Sequence, residues 1–256
     1  MIAFQVLKDY TKFSEAEKRV SLFVGRRLEQ AGTVHHARNL RHQVSAIKLL
    51  SKSTFLVPYQ FSVLTDAVEF QACLTHPNIL QCMRLLVNEE FYAVQYEFFS
   101  SQTLTEYINT HKPLACKVVK SIILQIGKAV SYMHQHQIVH RGLDTDCILI
   151  NKELHVKVTG FTKAGRLGDQ WKGLAAGAPP EGDFACAEPY KWDSWALGRV
   201  LSQLTEGLAS RKHLELVRKL CEEKPELRIS VSDFVRDAYF AEELQPAKHK
   251  ATASVG

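Results

Sequence analysis

The stretch from Ile138 to Phe161 constrains the fold of this chain more than any other part of its sequence. It reads IVHRGLDTDCILINKELHVKVTGF, in which short apolar runs alternate with polar residues and the last run ends at a Gly-Phe pair. Short runs rich in Val and Ile that are bounded by turn residues are typical of β-strands. The stretch therefore predicts a strand, a polar loop, and two further strands that end in a tight corner.

The overall composition is that of an ordinary folded domain. The chain has 256 residues, of which 46% are hydrophobic and 23% charged, so it can bury a full core as one domain or as two lobes. Its net charge of +5 is spread along the chain, and no run of five like charges occurs. Because nucleic-acid binding requires clustered basic residues, we predict no nucleic-acid partner.

The cysteines and the apolar segments bear on compartment and metal content. Six cysteines lie at wide and irregular spacings with no C-x-x-C pair, so neither a disulfide framework nor a zinc site is predicted. The first ten residues lack the pattern of a secretory leader, and no stretch reaches eighteen consecutive apolar residues. We expect no bound metal, no membrane association, and a reducing intracellular location, cytoplasmic and also nuclear.

The elements that precede this stretch follow a simple order. β-rich apolar runs are expected first, then an amphipathic helix, then two more strands, then two helices. The predicted ranges are 20–24, 33–37 and 44–50 for the first runs, 60–75 for the helix, 81–87 and 91–98 for the later strands, a helix capped by Thr103 and Glu106, and a long helix over 114–135.

Seven motifs, in this order along the chain, resemble those of eukaryotic protein kinases. They are AIK at 46–48, HPNI at 76–79, HR-x-L at 140–143, GF at 160–161, PPE at 179–181, DSWALG at 193–198 and KPELR at 224–228. The resemblance covers about residues 20–240 and implies a two-lobed α+β fold. Its N-lobe is an antiparallel sheet plus a helix, and its C-lobe is mainly helical.

The same resemblance divides the chain. It implies an N-terminal extension over 1–18, an N-lobe over 19–98, a C-lobe over 99–240 that is shortened by at least one helix, and a flexible tail over 241–256. The tail from Gln245 is polar and rich in small residues, as disordered segments are.

Two buried polar contacts are also implied by the resemblance. In kinases the Asp at the position of Asp193 hydrogen-bonds the backbone of the catalytic loop, so a structural role is expected for it. The Glu that closes the activation segment, here Glu181, is expected to pair with Arg228.

The residues that perform catalysis in kinases are replaced in this chain. In catalytic members the loop reads H-R-D-L-x-x-x-N and the later corner reads D-F-G. Here Gly142 stands in place of the catalytic base, Cys147 in place of the metal-binding Asn, and Gly160 in place of the metal-binding Asp. We therefore predict no catalytic residue, no metal ligand and no phosphoryl transfer. The alternative is a weak or unconventional kinase in which Asp144 or Asp146 replaces the lost carboxylates.

The nucleotide pocket is better retained. By the resemblance, Val34, Ala46 and Leu149 would sandwich an adenine, Lys48 would contact the phosphates, and Gln95 would gate the back of the pocket. These residues would hold ATP without magnesium, but the apolar ones could equally pack on each other in an empty pocket.

Two further parts of the kinase nucleotide site are altered. Ala67 stands where kinases carry the helix Glu that pairs with the strand Lys, so that ion pair is predicted to be missing. Between Gly25 and Gly32 the sequence permits either a phosphate cradle or a plain hairpin turn.

Among inactive kinase-like proteins, the chain looks most like the STE20-related adaptor (STRAD) group. The likeness is carried by Thr33-Val34, Ala37-Arg38 and Ile148–Ile150, although the Trp-Glu-Phe tail of that group is not found in this sequence. It implies a pseudokinase that binds a kinase of the liver-kinase-B type and an armadillo-like scaffold of the calcium-binding-protein-39 family. A nucleotide-independent interaction domain is the other possibility.

Overall fold

The structure is a computed structural model. It describes residues 2–11, 19–27, 34–39, 41–54, 58–167, 169, 178–181, 188–208 and 210–241. The turn between Gly25 and Gly32, from residue 28 onward, and the predicted flexible tail from Gln245 lie outside these ranges.

An antiparallel sheet forms the N-lobe and closes on itself as a barrel. The described strands follow the order β1-β2-β3-β4-β6-β5, and β1 pairs with both β2 and β5. These strands are β1 (Ile2–Thr11), β2 (Arg19–Arg27), β3 (Val34–Asn39), β4 (Val44–Ser51), β5 (Cys82–Val87) and β6 (Phe91–Glu97).

The strand β1 corrects one of the predicted boundaries. Residues 1–18 were expected to form an extension outside the N-lobe, whereas Ile2–Thr11 is a strand of its sheet. Pairing of β1 on both sides leaves no open sheet edge at β2 or β5, where unpaired N–H and C=O groups would otherwise be exposed.

Helix α1 (Pro58–Cys73) packs against this sheet. Leu64 and Val68, four residues apart and hence on one face of the helix, are buried against Cys82, Leu85 and Val94. The helix thus lies behind β4, β5 and β6, where it forms one wall of the space between the lobes.

The C-lobe is mainly helical, as predicted. Its first helix begins with the predicted capping box, because the Thr103 side chain accepts a hydrogen bond from Glu106 N and the Glu106 side chain accepts one from Thr103 N. The elements are α2 (Leu104–His111), α3 (Cys116–Gln135), β7 (Ile138–Val139), β8 (Ile148–Ile150), β9 (Val156–Val158), β10 (Gly165–Arg166), α4 (Tyr190–Leu204), α5 (Arg211–Leu220) and α6 (Val231–Val235).

Helix α3 is the centre of the C-lobe core. Its buried residues recur every three or four positions, including Ile122, Ile126, Val130 and Met133, each with none of its surface exposed. The helix delivers the chain to β7 and the loop that follows it. The catalytic loop of the kinase pattern therefore rests on a fully packed base.

Helix α5 follows α4 after a short connection and packs directly on it. A Cβ atom at Gly198 in α4 would lie 2.5 Å from Cys221 Sγ and 2.8 Å from Leu220 Cβ, so the close approach of the two helices requires a glycine there. Across the described ranges, no helix is long and apolar enough to span a membrane.

Candidate nucleotide site

A cavity of about 380 Å³ lies between the two lobes. Strands β3 and β4 form its roof, β8 forms part of its floor, and the connection between the lobes lines it through Glu97, Phe99, Ser100 and Ser101. Four of the five residues predicted for nucleotide binding line this cavity: Val34, Ala46, Lys48 and Leu149. The structure therefore brings these four together, while their role in binding ATP stays a prediction.

Gln95 is not among the residues that line the cavity, and the position predicted for it is wrong. Its side chain lies on the opposite face of β6, where its Oε1 accepts a hydrogen bond from Arg84 Nε at 2.8 Å and its Nε2 donates to Ser45 Oγ at 2.9 Å. Side chains alternate between the two faces of a strand, so an error of one residue reverses the side. Tyr96, the next residue, lines the cavity instead.

Lys48 enters the cavity without a paired carboxylate. Ala67 lines the rear of the cavity, as expected from its place in α1, and offers only a methyl group. The flanking acids point elsewhere, since Asp66 is exposed and Glu69 contacts Arg166 at 3.4 Å. No carboxylate of the described residues forms an ion pair with Lys48, in agreement with the predicted loss of the kinase ion pair.

The space above Gly142 is filled by Lys163. A Cβ atom built on Gly142 would lie 2.8 Å from Lys163 Cδ and 3.4 Å from Lys163 Cβ. The aliphatic part of Lys163 therefore occupies the volume into which a side chain at the catalytic-base position would extend. Lys163 lines the cavity and was not identified from the sequence, where the available signal was a Lys two residues after the Gly-Phe corner.

Cys147 and Gly160 are packed against each other in the same way. Gly160 has φ +85°, in the left-handed region, and a Cβ atom there would lie 2.6 Å from Cys147 Sγ. The thiol donates a long hydrogen bond to Gly142 O at 3.5 Å. Two effects raise the pKa of Cys147 to about 12: burial, which is the larger, and the negative charge of the nearby Asp144. The sulfur therefore stays protonated at neutral pH.

The side chains at these positions do not fit magnesium. The ion prefers several hard oxygen ligands in near-octahedral geometry, whereas a neutral thiol and two glycines offer none. Asp144 and Asp146 line the mouth of the cavity, and Asp144 Oδ1 already accepts the Cys147 N–H at 2.8 Å. Within the described ranges, no three or more His, Cys, Asp or Glu side chains are grouped to hold a metal ion.

Beneath the cavity, Asp193 holds the loop in place, as predicted. Its Oδ2 accepts from His140 N at 2.8 Å and its Oδ1 from Arg141 N at 2.9 Å, while His134 Nε2 lies 2.9 Å from Oδ2. Full burial acts to raise the pKa of Asp193, but the hydrogen bond and charge of His134 and the contacts with His140 outweigh it and lower the pKa. The carboxylate is thus ionised and fully used as an acceptor.

The predicted pair of Glu181 and Arg228 is also present. Arg228 Nη1 donates to Glu181 Oε1 at 2.7 Å and Nη2 to Oε2 at 2.9 Å, with the arginine side chain fully buried. The guanidinium further donates to the carbonyl oxygens of Glu222 and Lys191. The described end of the activation segment is therefore fixed to the C-lobe by a bidentate salt bridge.

Comparisons with known proteins agree with this geometry. The relatives match over most of this chain but at low identity, and the chain spans a third or less of their length. A probable serine/threonine-protein kinase of Dictyostelium discoideum is 24% identical over 241 residues, which cover 88% of this chain and 14% of that protein. Serine/threonine-protein kinase PLK4 of Drosophila persimilis is 25% identical over 254 residues, with coverages of 86% and 33%.

A third relative is the human NUAK family SNF1-like kinase 2, which is 27% identical over 184 residues that cover 69% of this chain and 29% of that protein. The model of the protein kinase domain family matches residues 30–209, well over half of the chain. Together with the two-lobed fold and the retained contacts of Asp193 and Arg228, this match establishes that the chain belongs to the protein kinase domain family.

Proposed function

We propose that this protein is a pseudokinase that binds ATP without magnesium and acts as an adaptor or allosteric regulator of a serine/threonine protein kinase. The observation that carries the proposal is the filling of the catalytic positions. Lys163 occupies the volume above Gly142, and Cys147 occupies the volume above Gly160. A side chain at either glycine would require its neighbour to move, so the present packing at both positions is built around glycine.

The expected effect on catalysis is large. Phosphoryl transfer depends on metal ions that bridge the phosphates and on a carboxylate that orients the attacking hydroxyl. Loss of one preorganised electrostatic group commonly lowers a rate by roughly 10²–10³-fold. Because Gly142, Cys147 and Gly160 depart from the catalytic residues together, we expect no measurable transfer.

The cavity itself supports ligand binding. Its volume of about 380 Å³ falls in the range of small-molecule sites, and most of its walls are apolar. Val34, Ala46 and Leu149 can contact a flat base from two sides, and Lys48 is available to an anion because no described carboxylate pairs with it. The cavity is thus suited to a ligand with an aromatic part and a negatively charged part.

The adaptor role is suggested by a two-lobed kinase fold that is retained while the residues at its catalytic positions are replaced. A domain whose kinase-like surface is held rigid can bind the active conformation of a partner better than the inactive one, and so shift the partner toward activity. The resemblance to the STRAD group suggests a kinase of the liver-kinase-B type as that partner, with a scaffold of the calcium-binding-protein-39 family, in the cytoplasm and the nucleus.

The rival function is weak serine/threonine kinase activity through Asp144 or Asp146. Both line the cavity, which is the observation in its favour, and the relatives are named as serine/threonine kinases. Against it, Asp144 stands where kinases carry a Lys near the transferred phosphate. Its Oδ1 also accepts the Cys147 N–H, so its carboxylate would repel phosphate and is already engaged.

The test is a thermal-shift titration with ATP in the presence of EDTA or of excess magnesium, paired with an assay for phosphate transfer to a peptide mixture. A ligand that binds the folded state raises the melting temperature. We expect a shift in EDTA and no transfer. Transfer that requires magnesium and is lost in Asp144→Ala would favour the rival, and no shift under either condition would indicate a nucleotide-independent interaction domain.

A further inference from the structure

We infer that Lys163, together with Lys48, supplies the positive charge that a metal ion supplies in catalytic kinases, so that the site takes the phosphate chain of a nucleotide as a metal-free anion. The inference deepens the proposed function and rests on it, because it assumes that the cavity binds a nucleotide. It assigns a ligand class, the uncomplexed nucleoside di- or triphosphate, to a residue outside the five predicted positions.

Lys163 lies across Gly142 and lines the cavity. Its aliphatic part runs across Gly142, with Cδ 2.8 Å from where a Cβ atom of that residue would lie. This packing needs the glycine, since any side chain there would displace the lysine. The absence of a side chain at Gly142 thus has a positive structural use, which is to let a cation reach the floor of the cavity.

The charge of Lys163 lies on the same part of the cavity floor as Cys147. Lys163 and Asp144 are the charged residues whose fields act on the Cys147 thiol, and Lys163 favours its ionised form. Lys163 and Cys147 also line the same cavity, and the Cys147 thiol donates to the carbonyl oxygen of Gly142, the residue that Lys163 covers. A cation is present near the part of the floor where catalytic kinases hold their metal.

The two lysines that line the cavity, Lys48 and Lys163, are not engaged by the described residues around them. Neither Lys48 nor Lys163 forms an ion pair or hydrogen bond with any of the described residues, although both line the cavity. Three described carboxylates line the same cavity: Glu97 is engaged by Lys157 at 2.7 Å, Asp144 accepts the Cys147 N–H at 2.8 Å, and Asp146 is exposed to solvent. Two ammonium groups on one cavity, neither of them paired within the described part of the chain, form a site for an anion with several negative oxygens.

The sign of the metal effect follows from this arrangement. In catalytic kinases magnesium bridges the phosphates and strengthens the complex. Here magnesium would neutralise the phosphates in solution and would find no suitable ligands at Cys147 or Gly160, so it competes with the lysines for the same oxygens. We expect excess magnesium to weaken ATP binding.

The experiment is isothermal titration calorimetry of ATP and of adenosine in EDTA, on the full chain and three variants. Lys163→Met removes the charge and keeps the aliphatic part that covers Gly142, Lys163→Arg keeps the charge, and Lys152→Ala changes an exposed lysine on the turn between β8 and β9. Because a charged hydrogen bond to a phosphate is lost, Lys163→Met should bind ATP about 10- to 100-fold more weakly. Its affinity for adenosine should match that of the parent chain, and the other two variants should retain ATP binding.

The outcomes separate this inference from the proposed function. Equal ATP affinity in Lys163→Met and the parent chain, or tighter ATP binding by the parent chain in magnesium than in EDTA, overturns the role of Lys163 while nucleotide binding stands. A parent chain that binds neither ATP nor adenosine overturns the proposed nucleotide site itself. If Lys163→Met does not fold, the magnesium titration of the parent chain decides the inference alone.

Discussion

The loop from His140 to Cys147 has one side toward the C-lobe core and one side toward the cavity, and the two sides differ in how far they keep the kinase residues. The side toward the C-lobe core keeps the contact expected at Asp193, whose carboxylate accepts from two backbone N–H groups and faces His134. The side toward the cavity carries Gly142 and Cys147 where catalytic kinases carry an Asp and an Asn, and Lys163 covers the glycine. Different residues therefore determine where this loop lies and which side chains it presents to the cavity, so one can change without the other.

The largest expected effect is on the core side. Asp193→Ala leaves two buried backbone N–H groups and His134 without their acceptor, so the free energy of unfolding should fall by about 3–5 kcal/mol. Asp144→Ala is the matched control in the same loop, because Asp144 is exposed and only caps the short helical turn at Thr145–Cys147. It should cost about 1 kcal/mol. Urea denaturation of both variants measures the difference, and equal losses would show that the two sides are not distinct in stability.

The second effect concerns the contact that fixes the activation segment. Arg228→Met buries a side chain of similar length but leaves Glu181 without its partner, which should cost about 3 kcal/mol. Arg236→Met, at an exposed arginine of the same lobe, should stay within about 0.5 kcal/mol of the parent chain. Chemical denaturation checks both values. A loss below 1 kcal/mol in Arg228→Met would mean that the buried pair contributes little.

The third effect tests the cavity side by restoring a catalytic residue. Gly160→Asp places a Cβ atom 2.6 Å from Cys147 Sγ at a φ of +85°, so it should lower the free energy of unfolding by about 1–3 kcal/mol and should not yield activity. The added substitution Cys147→Ala removes the sulfur and should recover part of that loss. A double-mutant cycle by denaturation measures the recovery. No coupling between the two changes would contradict the packing described for this pair.

The smallest effect is a response of the C-lobe to mild acid. Burial lowers the pKa of His213 below its ordinary value of 6.5, so the folded state binds fewer protons than the unfolded state in that window. The stabilisation is complete above about pH 6.5 and is lost as the pH falls through the lowered pKa. His213→Gln should flatten this part of the profile of unfolding free energy against pH. His155→Gln, at an exposed histidine, is the control for the His-to-Gln change itself.

The local features of the fold could be predicted from the sequence because they depend on neighbours along the chain. The capping box at Thr103 needs residues three apart, and the helical periodicity that predicts α3 repeats every three or four positions. The contacts of Asp193 and Arg228 were also foreseen, through motifs whose order along the chain resembles that of kinases. The capping box and the periodicity are contained in short stretches, whereas the contacts of Asp193 and Arg228 join residues 47 to 53 positions apart and were foreseen only through the resemblance.

The features that were missed depend on contacts between distant residues. Nothing within residues 2–11 indicates that they pair with β5, which lies more than seventy positions later. The face on which Gln95 lies depends on the register between β4 and β6, and a shift of one residue places it on the wrong side. The packing of Lys163 over Gly142 is visible only in the folded protein, because the two residues are 21 positions apart along the chain.

The closed N-lobe sheet has a consequence for how the chain acquires its fold during synthesis. Strand β1 is the first of the described strands to be made, yet Gln5 pairs with Val87 and Val6 with Leu86. One edge of that strand must therefore wait until some eighty more residues have been translated before its partner exists. Over that interval the strand IAFQVLKDYT can pair only with β2, so the edge that later meets β5 stays open in the nascent chain and closure of the N-lobe sheet comes late.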